Sequence, residues 1–282
     1  MSALPTTEAM DRGPGYDFQG ATFDLNSPRD REIVRFVLSQ ALFGEATGVY
    51  CGKSLFAARS LEAADFYIRQ ARQEIAHLRL FAEIFRTLEL DPLPGHWVIR
   101  LLSSHNEYYP LKVFLEHAVG EGMVLDVFKD LLLETLPDAD ARVPSIKKKL
   151  RVVCSDEAEH VAWGEKQTRA ALAESPWLRT PFYGLFLLQM ATLPLAVRAL
   201  RKHAEGHPVL SHLDGFVSHV EANATAQGRR LGFVPLQTPS AAARASAIGA
   251  GLLLYGRSRF ARGRSRIDKT YLKELGFASE RS

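Results

Sequence analysis

Apolar residues recur at intervals of three and four along most of the chain, and strand-like alternation is nearly absent, so the pattern predicts an all-α protein. The first 26 residues lack that period. They are polar with scattered Gly and Pro, and read as a loose arm. Ser27-Pro28 then reads as an N-cap followed by proline at the first helical position. Helix 1 is expected to run to about Leu55, with Val34, Val37, Leu38, Ala41, Leu42 and Val49 on one face and Glu45 on that same face. Helix 2 starts after Ser60 and fades at Asp91-Pro92, turning Tyr67, Ala71, Glu74, Leu78, Phe81 and Phe85 inward. A turn-rich stretch at Pro92 to Gly95 and a short apolar segment lead to helix 3, about Pro110 to Leu136. One of its faces carries Phe114, Ala118, Glu121, Leu125 and Phe128. Helix 4 begins near Pro144 and reaches about Ala173. Ile146, Leu150, Val153, Glu157, His160, Val161 and Gly164 share a face.

Beyond Ser175-Pro176 the composition changes. Pro181 to Val197 is uncharged and rich in Phe and Leu, but Gln189 and Pro194 interrupt it and it is short for a membrane span. It reads either as a buried fifth helix or as a segment resting on a bilayer. Val209 to Leu231 is amphipathic, and Ala245 to Tyr255 is a small-residue apolar run. The expected organisation is an arm over 1–26, a four-helix bundle over 27–175, and a C-terminal helical extension with a basic tail over 176–282.

With 282 residues and 46% hydrophobic content the chain can bury a sizeable core. Two cysteines, Cys51 and Cys154, make no disulfide framework. Together with an N-terminus that lacks a secretory pattern, they point to the cytoplasm. The net charge of +3 is uneven: Gly256 to Ser282 holds eight Lys/Arg against three Asp/Glu. Such a tail is either solvated or drawn to an anionic surface. Aromatics are not interleaved with it as a nucleic-acid platform requires, so no nucleic-acid partner is expected.

The chemistry sits in two Glu-x-x-His steps, Glu74 to His77 and Glu157 to His160. A spacing of three puts both side chains on one helical face, where they can reach one ion. By count alone two such steps are close to chance. Their placement adds the weight, because Glu45, Glu74, Glu121 and Glu157 lie at similar depths in four successive helices, a common slab at about 1.5 Å per residue. Glu, Glu-x-x-His, Glu, Glu-x-x-His is the ligand order of carboxylate-bridged two-metal bundles. Carboxylate and imidazole ligands suit iron or manganese. Glu116 competes with Glu121 for the helix-3 position, and the more apolar neighbours of Glu121 favour it. His117 reads as a third imidazole ligand or a buried hydrogen-bonded residue. Asp156 immediately precedes Glu157 and Gln73 immediately precedes Glu74, each placed to reach the histidine of the opposite helix. Tyr67 either lines the pocket or packs, and Cys154 reads as an inert core thiol.

At these residues the chain resembles the ferritin-like di-iron superfamily, as a ferritin-like four-helix bundle with additional C-terminal helices. Gly44-Glu45, Gln73 to Leu78 and Glu157 to His160 are similar to the ligand helices of the demethoxyubiquinone hydroxylase family, and the step of 36 from Glu121 to Glu157 fits as well. The likeness covers roughly 27–173. Tyr50 and Gly52 come early for that family's Tyr-x-Gly, and Val127 and Phe128 stand where it carries His-Tyr. The resemblance implies two iron ions, with manganese open for either. Glu74 and Glu157 would bridge, Glu45 and Glu121 would be terminal ligands, and His77 and His160 would each bind one ion. It implies O2 as co-substrate, an external electron donor and a small, apolar organic substrate. Peripheral membrane contact and a homodimer stay open. The competing readings are an iron-handling or peroxide-scavenging protein and a non-enzymatic helical interaction module.

Overall fold

The computed structural model describes residues 14–49, 55, 58–95 and 108–260. Among them are seven helices and no strand, counting the segments of the third helix as one. Helix α1 (Pro28–Gly48) opens on Ser27, whose side chain accepts from the Asp30 amide, with Pro28 in the first turn. Helix α2 (Leu61–Leu88) opens on Ser60, which accepts from the Ala63 amide, and stops where Glu89 turns left-handed at φ 51°. Helix α4 (Val143–Glu174) is the longest. The helix expected to reach Leu55 ends in the structure at Gly48. Tyr50, Cys51 and Gly52 lie outside the described residues, as do residues 1–13, the apolar segment at 96–107 and the basic tail from 261.

Helix α3 departs most from its expected form. It is one rod of four stretches: α-helical Tyr109–Lys112, π-helical Val113–Gly120, α-helical Glu121–Asp126 and π-helical Val127–Leu133. π turns are rare, usually single, and concentrated at functional sites. Gly120 accommodates the first one, since a Cβ there would stand 2.8 Å from the Leu115 carbonyl oxygen.

The four helices bury a common core that includes Val34, Leu38, Phe81, Ile84, Phe114, Phe128, Ile146 and Leu150. Each such large side chain contributes roughly 1.5–3 kcal/mol. Helices α3 and α4 approach closely at Gly164, where a Cβ would lie 2.5 Å from the Cβ of His117.

Three more helices cover one side: α5 (Arg179–Arg201), α6 (Leu213–Leu231) and α7 (Ala241–Phe260). The first half of the apolar stretch starting at Pro181 is buried, with Phe182 stacked on Phe114 at 4.1 Å. Its second half is more open, and Leu195 is exposed. Helices α5 and α7 touch backbone to backbone. A Cβ on Gly184 would strike the Ala247 carbonyl oxygen, and one on Gly251 would stand 2.9 Å from that of Pro181. Among the described residues no helix is long and apolar enough to cross a membrane.

The arm expected to be loose is packed where it is described. Phe18, Phe23 and Leu25 are buried, and the Phe23 amide donates to the Thr135 carbonyl. Tyr16 donates its amide to Asp130 and its hydroxyl to the His212 carbonyl, pinning a strap across α3 and the start of α6.

Candidate metal centre

Glu45 on α1, Glu74 and His77 on α2, and Glu157 on α4 bring four ligand atoms within 4.8 Å of one another, and all four residues are buried. Glu74, Glu121 on α3 and His160 on α4 form a second such group. The two groups are one cluster, because the central carboxylates serve both. Glu74 Oε2 lies 3.8 Å from His77 Nδ1, while its Oε1 lies 3.8 Å from His160 Nδ1. Glu157 repeats the pattern, with Oε1 3.5 Å from His77 Nδ1 and Oε2 3.6 Å from His160 Nδ1. Glu45 closes the His77 side at 2.8 Å, and Glu121 Oε1 stands 3.9 Å from His160 Nδ1.

The outer nitrogens of the two imidazoles are held from the opposite helices. His77 Nε2 lies 3.0 Å from Asp156 Oδ2, and His160 Nε2 lies 3.0 Å from Gln73 Oε1. These contacts fix each ring with its Nδ1 toward the carboxylates.

Helical period alone explains why these side chains converge. Glu74 and His77 fall on the buried stripe of α2, and Glu157 and His160 on that of α4, each one turn apart. Gly48 makes room for the cluster at the end of α1. A Cβ there would come within 2.6 Å of the Glu74 carboxylate.

Burying carboxylates without a counter-charge is costly, and at Glu74 and Glu157 that cost favours the protonated form. Burial pushes Glu74 well above the usual carboxylate range, and Glu157 and Glu45 beside it push the same way. Burial also raises Glu157, against the pull of His160, to about 7. Burial works to lower His77, but hydrogen bonds to Asp156 and Glu45 outweigh it and lift the imidazole to about 10. His160 is lifted to about 9 by Glu157 and Glu121, again against burial. Desolvation raises Asp156, but the hydrogen bond from His77 overrides it and the net shift is downward.

A cation fits this arrangement on one specific observation. His160 Nδ1 is buried and has no hydrogen-bond partner, yet three carboxylate oxygens stand 3.6–3.9 Å away. That is long for a hydrogen bond. It is about the separation of two ligand atoms that each lie roughly 2.0–2.2 Å from one ion. The cluster can therefore hold a metal ion.

On α3 the structure separates the two candidate glutamates. Glu121 faces the cluster, while Glu116 bonds the buried ammonium of Lys112. Glu116, His117 and Glu121 nonetheless lie close enough to form a small group of their own. His117 is fully buried, with Nδ1 3.0 Å from both Glu121 oxygens. Tyr67 packs among Phe66, His117 and Trp163. Cys154 is partly buried, and burial lifts its thiol to about 12, which keeps it unreactive.

Gln70 escaped the reading of the sequence. It is fully buried, and its amide donates to Glu121 Oε1 at 2.9 Å and to Glu74 Oε1 at 3.4 Å. Its position one turn before Glu74, on an otherwise apolar face, was the available signal.

No family model matches the chain, and no curated protein matches it.

Proposed function

We propose that the chain is a two-metal oxidoreductase that uses O2 to hydroxylate or otherwise oxidise a small, apolar organic substrate. The observation that carries this reading is the double reach of Glu74 and Glu157, each with one oxygen toward either imidazole. Two carboxylates that span two histidines support two adjacent ion positions. Glu45 and His77 complete one, and Glu121 and His160 complete the other. The oxygen-rich ligand set with two imidazoles suits iron or manganese. Bound there, a redox-active pair would supply the electrons and Lewis acidity that reduction of O2 needs.

The protein's own part is positioning and shielding. Asp156 and Gln73 set the histidine rings, and Gln70 steadies Glu121 and Glu74. Phe66 meets the His160 ring edge-on at 5.8 Å and stacks on Trp163 at 3.7 Å, so an aromatic wall keeps water from that side. His77 and Glu157 hold protons that ion binding must release. An external reductant has to return the electrons after each turnover.

Anaerobic loading with Fe(II), metal counting and exposure to O2 tests the reading. About two irons per chain, with O2 uptake that rises when an apolar organic substrate is present, supports it. Binding of one ion or none overturns it. Two irons oxidised slowly, with no response to any organic substrate, would favour iron handling.

A further inference from the structure

The C-terminal helices reach α3 beside the candidate centre through two glutamines. Gln189 on α5 donates from Nε2 to the Leu115 carbonyl at 3.1 Å. Gln227 on α6 donates from Nε2 to the Ala118 carbonyl at 2.7 Å and to Glu165 Oε1 at 2.9 Å. Both carbonyls belong to the π-helical stretch Val113–Gly120. Both glutamines are buried. A π turn displaces carbonyls from the i→i+4 ladder, and an extra donor from outside the helix is a way to hold them.

The position of these bonds matters more than their number. Ala118 is one turn before Glu121. Glu165 follows Gly164, the contact point of α4 with α3, and both lie about one turn beyond His160. The Gln227 amide thus ties α3, α4 and α6 together directly beside the pair that makes the second ion position. Glu165 is held in turn by Arg169 at 3.4 Å and faces Arg230 at 3.7 Å.

We propose that Gln189 and Gln227 are positioning residues for the candidate centre, holding the π-helical register of α3 so that Glu121 faces His160. The inference rests on the reading of Glu121 and His160 as ligands. It makes the C-terminal extension part of the second ion position rather than a separate cover.

The test is Co(II) titration of the full chain, followed by equilibrium ion counting and the visible absorption of the bound cobalt. Wild type is expected to bind two ions. Gln227→Met and Gln189→Met keep side-chain bulk but remove the donor. Each should retain the first ion and weaken the second at least tenfold, with the second ion's absorption band reduced or shifted. Val220→Ala, a core truncation on α6 two turns before Gln227, should lower Tm while keeping both ions and their spectrum. Two ions with an unchanged spectrum in both methionine variants would overturn the inference alone. Fewer than two ions in wild type would overturn the two-ion reading and the inference with it. If one methionine variant fails to fold, the other decides, because the two glutamines hold different carbonyls from different helices.

Discussion

Asp156 holds His77 from across the bundle, Oδ2 to Nε2 at 3.0 Å, while the matching position beside Glu74 offers His160 a neutral Gln73. The two halves of the cluster are thus alike in geometry but different in charge. The imidazole that faces a carboxylate is the stronger electron donor to an ion. Asp156→Asn should therefore lower affinity for the first ion by roughly 10–100-fold. Gln73→Leu, which removes a neutral partner from His160, should act mainly on the second ion. Competition titrations with a chelator of known affinity would separate them. Equal effects of both variants on both ions would contradict the asymmetry.

Loss of metal should sort the carboxylates. Glu74→Ala removes a residue that serves both ion positions, and should abolish stoichiometric binding. Glu121→Ala should leave about one ion. Glu116→Ala should keep both, yet it leaves the buried Lys112 without that carboxylate and should cost roughly 1–3 kcal/mol of stability. Metal counting together with chemical denaturation checks all three. Full metal content in Glu121→Ala would return the α3 ligand to Glu116.

The metal-free protein should become less stable as pH rises. Glu157, His160 and His77 all bind protons more tightly in the fold than at their ordinary values. Stability from a raised group is complete below its ordinary value and is lost as pH climbs through the folded one. That window runs from about 4.5 to 7 for Glu157, from 6.5 to about 9 for His160, and from 6.5 to about 10 for His77. Melting in chelator should show Tm falling between pH 6 and 9. The added stability from Mn(II) should grow over the same range, because the ion displaces those protons. A metal-induced gain that shrinks with pH would contradict the assignment.

Gly48→Ala should damage the centre without unfolding the bundle. Its new Cβ would press within 2.6 Å of the Glu74 carboxylate, which must then shift away from one or both imidazoles. Alanine favours the helix, so the far-ultraviolet spectrum should be unchanged. Ion affinity should fall by roughly tenfold or more. Binding equal to wild type would show that Glu74 moves freely.

The four bundle helices and the convergence of Glu45, Glu74, Glu121 and Glu157 were legible because a 3.6-residue period writes burial directly into the order of residues. The inward reach of Asp156 and Gln73 followed from the same geometry. The π stretches of α3 were not legible. Their widened turns are fixed by partners such as Gln227, more than 100 positions away, while the apolar spacing stays near helical. The packed strap was hidden for a related reason. Phe18, Phe23 and Leu25 have no period, and distant partners such as His207 and Phe216 take part in burying the two phenylalanines. Gly48 and Gln70 each act through a single contact that no local pattern announces.

The strap also bears on how the chain is made. Tyr16 precedes its anchors, Asp130 and the His212 carbonyl, by 114 and 196 residues. The strap's bond to His212 can therefore close only when α6 is about to begin, while those to Asp130 and Thr135 can close with α3. Contacts so distant in sequence form slowly. Until those surfaces are made, Phe18, Phe23 and Leu25 would stand in solvent, an apolar segment exposed to wrong contacts.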